Sequence, residues 1–311
     1  MLLGAQVNPY LPHAQTVSAY PKTDNSPQMH HLDRHSLRNK TILVTGASRG
    51  IGLAIAKRAA QEGANIILLA KTAAPNPNLP GTLTSAATEV ERAGGLAFAV
   101  TTDIRDDAAV LHAISAGAER FGGIDVLVNN ASAISLTSTL DTPMKRVDLM
   151  YSVNVRGTYA CTQACLPHLM QSAKQGRNPH ILTLSPPLNM KPRWLAPHLA
   201  YTIAKYGMSM CTLGHAEELR SLGIGVNSLW PRTTIATAAL RMVPGTDTAR
   251  SRTPEIVADA AYLILTSDAR VVTGNFFIDD AVLAAHGITD LTRYRINDEA
   301  DMLDLDLFLD P

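Results

Sequence analysis

Short apolar runs recur along the chain, and each is followed by a stretch with helical spacing. The first run, 41–45, ends in Gly46 and leads into a helical pattern over 50–62. Further runs at 66–70, 96–100, 125–129, 181–184, 224–229 and 276–278 read as buried strands. Helical patterns fill the gaps at 84–93, 107–121, 143–175, 200–221 and 254–266. Pro143 and Pro254, each preceded by Thr, read as first-turn prolines behind N-cap residues. Strands apolar on both faces and alternating with helices predict an α/β fold, in which helices cover a parallel seven-stranded sheet on both sides. No composition break or internal repeat interrupts the region, so one domain is expected over 39–286.

The two ends break this rhythm. Residues 1–38 carry Pro9, Pro12, Pro21 and Pro27, which interrupt any helix, and His13, His30, His31 and His35 without ligand spacing. This stretch reads as a flexible N-terminal extension without the ordered regions of a secretory signal. A cytoplasmic location is expected, with organellar import through residues 1–38 left open. Residues 287–311 form an acidic tail. From Asp298 onward there are six acids and no Lys or Arg, while Leu303, Leu305, Leu307 and Leu309 recur at every second position. A period of two describes an extended segment with one apolar face, either docked on a neighbouring subunit or frayed.

Composition narrows the function classes. The 27 basic residues balance 27 acidic ones, which argues against a nucleic-acid partner. Apolar residues make up 46% of the chain and charged ones 17%, enough for a large buried core, yet no apolar run reaches the length of a membrane span. The cysteines, Cys161, Cys165 and Cys211, are odd in number and fit a reducing compartment rather than a disulfide framework. No metal site is expected, and all three cysteines read as small packing residues in helices.

Chemistry concentrates after the first strand. In 45–52, TGASRGIG, Gly46 permits the tight turn, Gly50 admits a pyrophosphate to the backbone and Gly52 lets helix and sheet approach. The loop residues Ser48, Arg49 and Ile51 then flank a helix N-terminus whose free N–H groups favour phosphate. The second strand ends in Ala70-Lys71-Thr72, with no acid to bind the ribose hydroxyls of NAD. Arg49 and Lys71 instead suit a ribose 2′-phosphate, which favours NADP(H) over NAD(H). Asp103, beyond the third strand, is a candidate acceptor for the adenine amino group, and Asn129 closes the fourth strand where a cofactor would cross. Tyr201 and Lys205 share one helix face at a spacing of four. A fixed ammonium beside a phenol lowers its pKa toward a useful range for proton transfer.

Taken together, the 45–52 loop, Asn129-Asn130-Ala131, Asn154 in Asn-Val-Arg-Gly and the Tyr201/Lys205 pair resemble the short-chain dehydrogenase/reductase family over about 36–280. Stretches such as 130–135, 140–143, 185–189, 200–210, Trp230-Pro231 and the Pro-rich insert 71–77 resemble its hydroxysteroid dehydrogenase-like branch. Some members carry a further sterol-carrier-like domain, for which 311 residues are expected to leave no room. The resemblance implies a Rossmann-type doubly wound sheet and an NADP(H)-dependent oxidoreductase. It would interconvert a carbonyl and a secondary alcohol on a largely apolar, lipid- or steroid-like substrate. It also implies Tyr201 as acid/base, Lys205 on the nicotinamide ribose, and Asn154 holding a relay water. Asn129 would support the cofactor, with Ile235 and Thr237 near the nicotinamide carboxamide. A homodimer or homotetramer through the helices at 143–175 and 200–221 follows as well.

The chain departs from the family pattern where a serine usually bonds the substrate oxygen: Pro186 stands there, with Ser185 one residue earlier. Either Ser185 turns inward to replace it, or Ser185 caps the strand end. The same departure motivates a rival reading, a nucleotide-binding protein with little or no turnover that acts as a redox sensor or assembly partner. Arg232 replaces a usual glycine and would meet an anionic substrate group or solvent. His198 reads as a surface histidine, the alternative being a proton donor.

Overall fold

The computed structural model describes residues 35–72, 81–243, 245–300 and 302–310. Most of the N-terminal extension and of the Pro-rich insert therefore lie outside the described residues. Seven strands pair in parallel in the order β3-β2-β1-β4-β5-β6-β7: β1 (Thr41–Thr45), β2 (Asn65–Ala70), β3 (Leu96–Thr101), β4 (Val126–Asn129), β5 (His180–Thr183), β6 (Gly225–Trp230) and β7 (Phe276–Ile278). Helices α1 (Gly50–Ala60), α2 (Leu83–Arg92) and α8 (Glu255–Leu265) cover one face. On the other lie α3 (Asp107–Phe121), α5 (Gly157–Lys174) and α7 (Leu199–Glu218), around a core of strand aliphatics, Cys161 and Cys165. This is the doubly wound Rossmann-type sheet expected from the apolar runs.

The differences have local causes. β3 was expected to be fully buried, but it is the edge strand and half of it meets solvent. The long pattern at 143–175 breaks into α4 (Met144–Met150), a π-helical turn (Tyr151–Arg156) and α5. Such a turn widens the helix by one residue, which hydropathy spacing does not register. Pro143 and Pro254 occupy the cap position itself, one residue earlier than expected. Two short helices, α6 (Pro192–Leu195) and α9 (Asp279–Ala285), had no periodic signal long enough to read.

The tail after α9 runs back over its own chain. Its burial falls on Phe308 and Leu309, while Leu305 is exposed, so the leucine alternation does not describe the packed face. Phe308 sits among Trp194, His198, Tyr201, Tyr206 and Trp230, with ring centroids 5.3 to 6.2 Å away. Among the cysteines, Cys161 and Cys165 are buried and Cys211 is half-buried; all three are free thiols.

At the amino ends of β1 and β4 the buried carboxylate of Asp125 fixes their register. It accepts from Thr41 N at 2.8 Å, Ser172 Oγ at 2.7 Å, and Arg177 Nε and Nη2 at 2.7 Å each. Burial alone would oppose ionisation, but the Arg177, Ser172 and Thr41 donors hold the carboxyl below its ordinary range. A depressed folded pKa adds stability above the unfolded value and loses it as pH falls through the folded one. Asp125→Asn is expected to cost about 3 kcal/mol in urea unfolding at pH 7, with the difference from the native protein shrinking below about pH 4.

Candidate active site

The strand order reverses between β1 and β4, and there the carboxyl ends of the sheet open into a cavity of about 1020 Å³. Gly46, Asn130, Leu184, Tyr201, Lys205 and Ile235, drawn from the ends of successive strands and from α7, share its wall. A crevice at such a switch point is where open α/β sheets bind ligands.

At one side stands the glycine loop. Gly46 and Gly50 have φ of 66° and 57°, the left-handed region that favours glycine. Gly52 is required for a different reason, since a Cβ there would lie 2.5 Å from Asn130 Nδ2. That amide donates to Thr45 O at 2.9 Å and Gly46 O at 3.2 Å, while Thr45 Oγ1 accepts from the backbone N–H groups of Asn130 and Ala131, both at 3.0 Å. Arg49, at the N-cap of α1, provides no side-chain cap. The first-turn N–H groups of this 11-residue helix therefore remain for a ligand in the cavity that Ser48, Arg49, Gly50 and Ile51 line. Arg49 Nη2 donates to Gly81 O at 2.9 Å, and its Nε is buried without a partner. A cradle too narrow for a Cβ, with free donors and an orphaned guanidinium nitrogen, suits a pyrophosphate.

Beyond the loop, Lys71 is exposed at the rim and Thr72 lies beside it. Asp103 also lines the cavity, but Arg105 clasps it, with Nε at 2.9 Å and Nη2 at 2.5 Å. This pairing holds its carboxyl below the usual range. Arg105 is itself on the wall and was not anticipated.

At the other side, α7 presents Tyr201 and Lys205, both buried. Lys205 Nζ donates to Leu184 O at 2.8 Å and lies 5.0 Å from the Trp230 ring centroid. Burial pushes the Lys205 ammonium down to about 7, against the opposing pull of Asp306. Burial, with the Asp306 charge in the same direction, raises the Tyr201 phenol well above its ordinary value. The expected lowering of the phenol pKa by Lys205 is therefore not what the site shows: burial outweighs it and holds Tyr201 as the phenol.

Several expected site residues point elsewhere. Of the two roles open to Ser185, replacing the absent serine or capping the strand end, the structure shows neither: its Oγ is buried in contact with Ser228 Oγ at 2.8 Å, which in turn meets Thr212 Oγ1 at 2.8 Å. It is not on the cavity wall. Asn154, in the π-helical turn, commits its side chain to Ala133, accepting from N at 2.7 Å and donating to O at 3.0 Å. Asn129 faces α5, donating to Thr162 Oγ1 at 3.2 Å, and its neighbour Asn130 is the one that braces the loop. Ile235 and Thr237 do line the cavity. Arg232 meets neither solvent alone nor the cavity, because Nε pairs with both Asp280 oxygens at 2.9 and 2.8 Å. His198 is buried, not on the surface; its Nδ1 lies 2.9 Å from Thr202 Oγ1. Among the described residues no cluster could hold a metal ion, and no helix is long and apolar enough to cross a membrane.

The tail supplies wall residues that sequence reasoning missed. Asp304, Leu305, Asp306 and Leu307 border the cavity. Asp306 N donates to Arg232 O at 2.9 Å, Trp230 Nε1 donates to Leu307 O at 3.0 Å, and Thr233 forms an antiparallel bridge with Leu305. Leucines at every second position drew attention to the apolar side of this strand, although the acid between two of them faces the site.

Comparison with known proteins accords with this geometry. The model of the short chain dehydrogenase family matches residues 40–244. Hydroxysteroid dehydrogenase-like protein 2 of Danio rerio is 54% identical over 271 residues, covering 87% of this chain; the chain spans 64% of that relative's length. A solved short chain dehydrogenase from Mycobacterium thermoresistibile is 52% identical with a TM-score of 0.82, covering 88% of this chain and 96% of its own. A metagenomic short-chain oxidoreductase in complex with NADP is 26% identical, with a TM-score of 0.66 over 78% of this chain and 97% of its own. With two thirds of the sequence matched by one family model, and a glycine cradle and a Tyr/Lys pair on one cavity, the chain belongs to the short-chain dehydrogenase family.

Proposed function

We propose that this chain is an NADP(H)-dependent oxidoreductase that interconverts a carbonyl and a secondary alcohol on a largely apolar substrate, with Tyr201 as general acid/base. The observation that carries the reading is that Tyr201 and Lys205 line the same cavity as the glycine cradle. The NADP-bound relative supports a nicotinamide dinucleotide. When bound, that cofactor supplies or accepts the hydride.

The chain's own groups would divide the remaining work. The Gly46–Ile51 backbone and the α1 N-terminus hold the phosphates, and Lys71 with Thr72 faces a 2′-phosphate. Lys205 is fixed through Leu184 O and lines the same cavity as Tyr201. Tyr201, kept protonated by burial, is the group placed to give its proton to a carbonyl oxygen. The apolar wall contributed by Leu136, Leu149, Trp230, Leu240, Met242 and Val243 favours a lipid- or steroid-like partner and excludes water. Ser185 is occupied by Ser228, so stabilisation of the substrate oxygen falls on Tyr201 without that serine.

The rival, a nucleotide binder without turnover, draws on Pro186 and the buried Ser185. It does not account for a buried phenol and ammonium facing the cradle. Tyr201→Phe separates the two readings. With a panel of apolar ketones followed by NADPH absorbance, turnover is expected to fall at least about 100-fold while NADPH affinity stays within about twofold. Equal slow oxidation of NADPH by both proteins would favour the binder. Lys71→Ala tests the cofactor choice: NADPH binding is expected to weaken about tenfold and NADH binding to remain unchanged. An equal effect on both would remove the case for the 2′-phosphate.

A further inference from the structure

The C-terminal strap brings two carboxyl groups to the cavity wall, Asp304, which pairs with Arg250 at 2.7 Å, and Asp306. Asp306 is fixed through its backbone: N donates to Arg232 O at 2.9 Å, and its own Oδ1 accepts from Leu307 N at 2.7 Å. Two residues on, Phe308 is fully buried in its aromatic box, and Asn189 Nδ2 donates to Phe308 O at 3.2 Å. Further on, Asp310 pairs with Lys191 at 2.5 Å and with Arg193. The strap is thus anchored on both sides of Asp306. Among the described residues Asp306 forms no ion pair within 4.0 Å, so its charge stays available to whatever fills the cavity.

We propose that Asp306 selects the oxidation state of the cofactor: its carboxylate, on the cavity wall with Tyr201 and Lys205, holds the positively charged oxidised nicotinamide more tightly than the neutral reduced ring. The inference rests on the nicotinamide reading given above. The physical basis is Coulomb's law at a largely apolar wall, where a full charge acts over several ångströms on a ring that differs by one unit between its two forms. Tighter binding of the oxidised form makes the bound reduced form a stronger hydride donor. Each tenfold preference corresponds to about 30 mV for a two-electron couple. The same charge disfavours the Tyr201 phenolate. The first effect pushes the site toward reduction, whereas the second makes the phenol a weaker proton donor and opposes it, so the preference rests on the cofactor ring.

Burial raises the Asp306 carboxyl to about 7, helped by the charge of Asp279 and opposed by Leu307 N and Lys205. The preference should therefore grow as pH rises through neutrality and the carboxylate forms. The groups facing it are Tyr201 and Lys205 of α7 and Asp279 at the start of α9, where Arg232 and Arg252 pair with Asp280. Lys205 loses its proton over the same range, which also eases binding of a cationic ring, so the slope belongs to both groups and only the part lost with Asp306 tests the inference. A 2′-phosphate, with its own pKa near 6, is common to both cofactor forms and cancels in their ratio.

The test is calorimetric titration of NADP⁺ and NADPH, and of NAD⁺ and NADH, into the full chain and its Asp306→Asn variant between pH 6.5 and 8.5. Asp298→Asn, an exposed acid on the same tail, controls for net charge. At pH 8 the oxidised-to-reduced affinity ratio is expected to fall about tenfold in Asp306→Asn, to stay unchanged in Asp298→Asn, and to lose part of its pH dependence in the first variant alone. An unchanged ratio, or parallel weakening of both forms, overturns the proposal, since loss of strap structure would not distinguish a charged ring from a neutral one. If Asp306→Asn does not fold, Asp306→Ser serves the same comparison, and an oxidised-to-reduced ratio in the native protein that is flat across this pH range overturns the proposal. Binding of neither cofactor pair would remove the nicotinamide reading together with this one.

Discussion

The whole site hangs on how β1 and β4 part at their carboxyl ends. There the strand order reverses and the ladder can no longer satisfy the backbone groups of Thr45, Gly46, Asn130 and Ala131. The Asn130 amide and the Thr45 hydroxyl take over those groups, and Gly52 leaves room for the amide to do so. A buried polar backbone group left without a partner costs about 1–3 kcal/mol, so the brace fixes the loop in one conformation. That conformation turns the first N–H groups of α1 toward the cavity. The same opening lets α7 bring Tyr201 and Lys205 to the opposite wall.

The second organising element is the strap that closes this cavity. Burying Phe308 contributes about 2 kcal/mol by area alone, and edge or offset contacts with its aromatic neighbours add to that. This gain offsets the entropy of ordering the last residues. Because the strap also bridges Thr233 and Thr234 of the loop after β6, its docking and the shape of the substrate wall are coupled. A pair of backbone bridges between two surface segments gives them a shared opening equilibrium, as expected of elements that admit and release ligands.

Much of this was legible from the sequence. The seven strands fell within a residue or two of their places because runs that are apolar on both faces have few alternatives. The glycine loop was readable because only glycine meets its steric demands. Three kinds of feature were not. A π-helical turn leaves no hydropathy signature, so the helix at 143–175 read as continuous. Side-chain direction at a strand end depends on register, so Asn129 and Asn130 exchanged parts and Ser185 turned to Ser228 instead of the cavity. Long-range docking is the third: His198 packs against Phe308, which comes from more than a hundred residues away, and the leucine alternation concealed both Phe308 as the anchor of the tail and Asp306 as a cavity residue.

The central claim is that a dinucleotide and the Tyr201 phenol share one cavity. The most direct measurement is a crystal structure of the chain with NADP⁺. The pyrophosphate is expected on the backbone of Gly46–Ile51 and the nicotinamide ring between Ile235 and Tyr201, with the phenol oxygen facing the reactive side of the ring. A dinucleotide bound outside this crevice, or a Tyr201 side chain turned away from the ring, would contradict it.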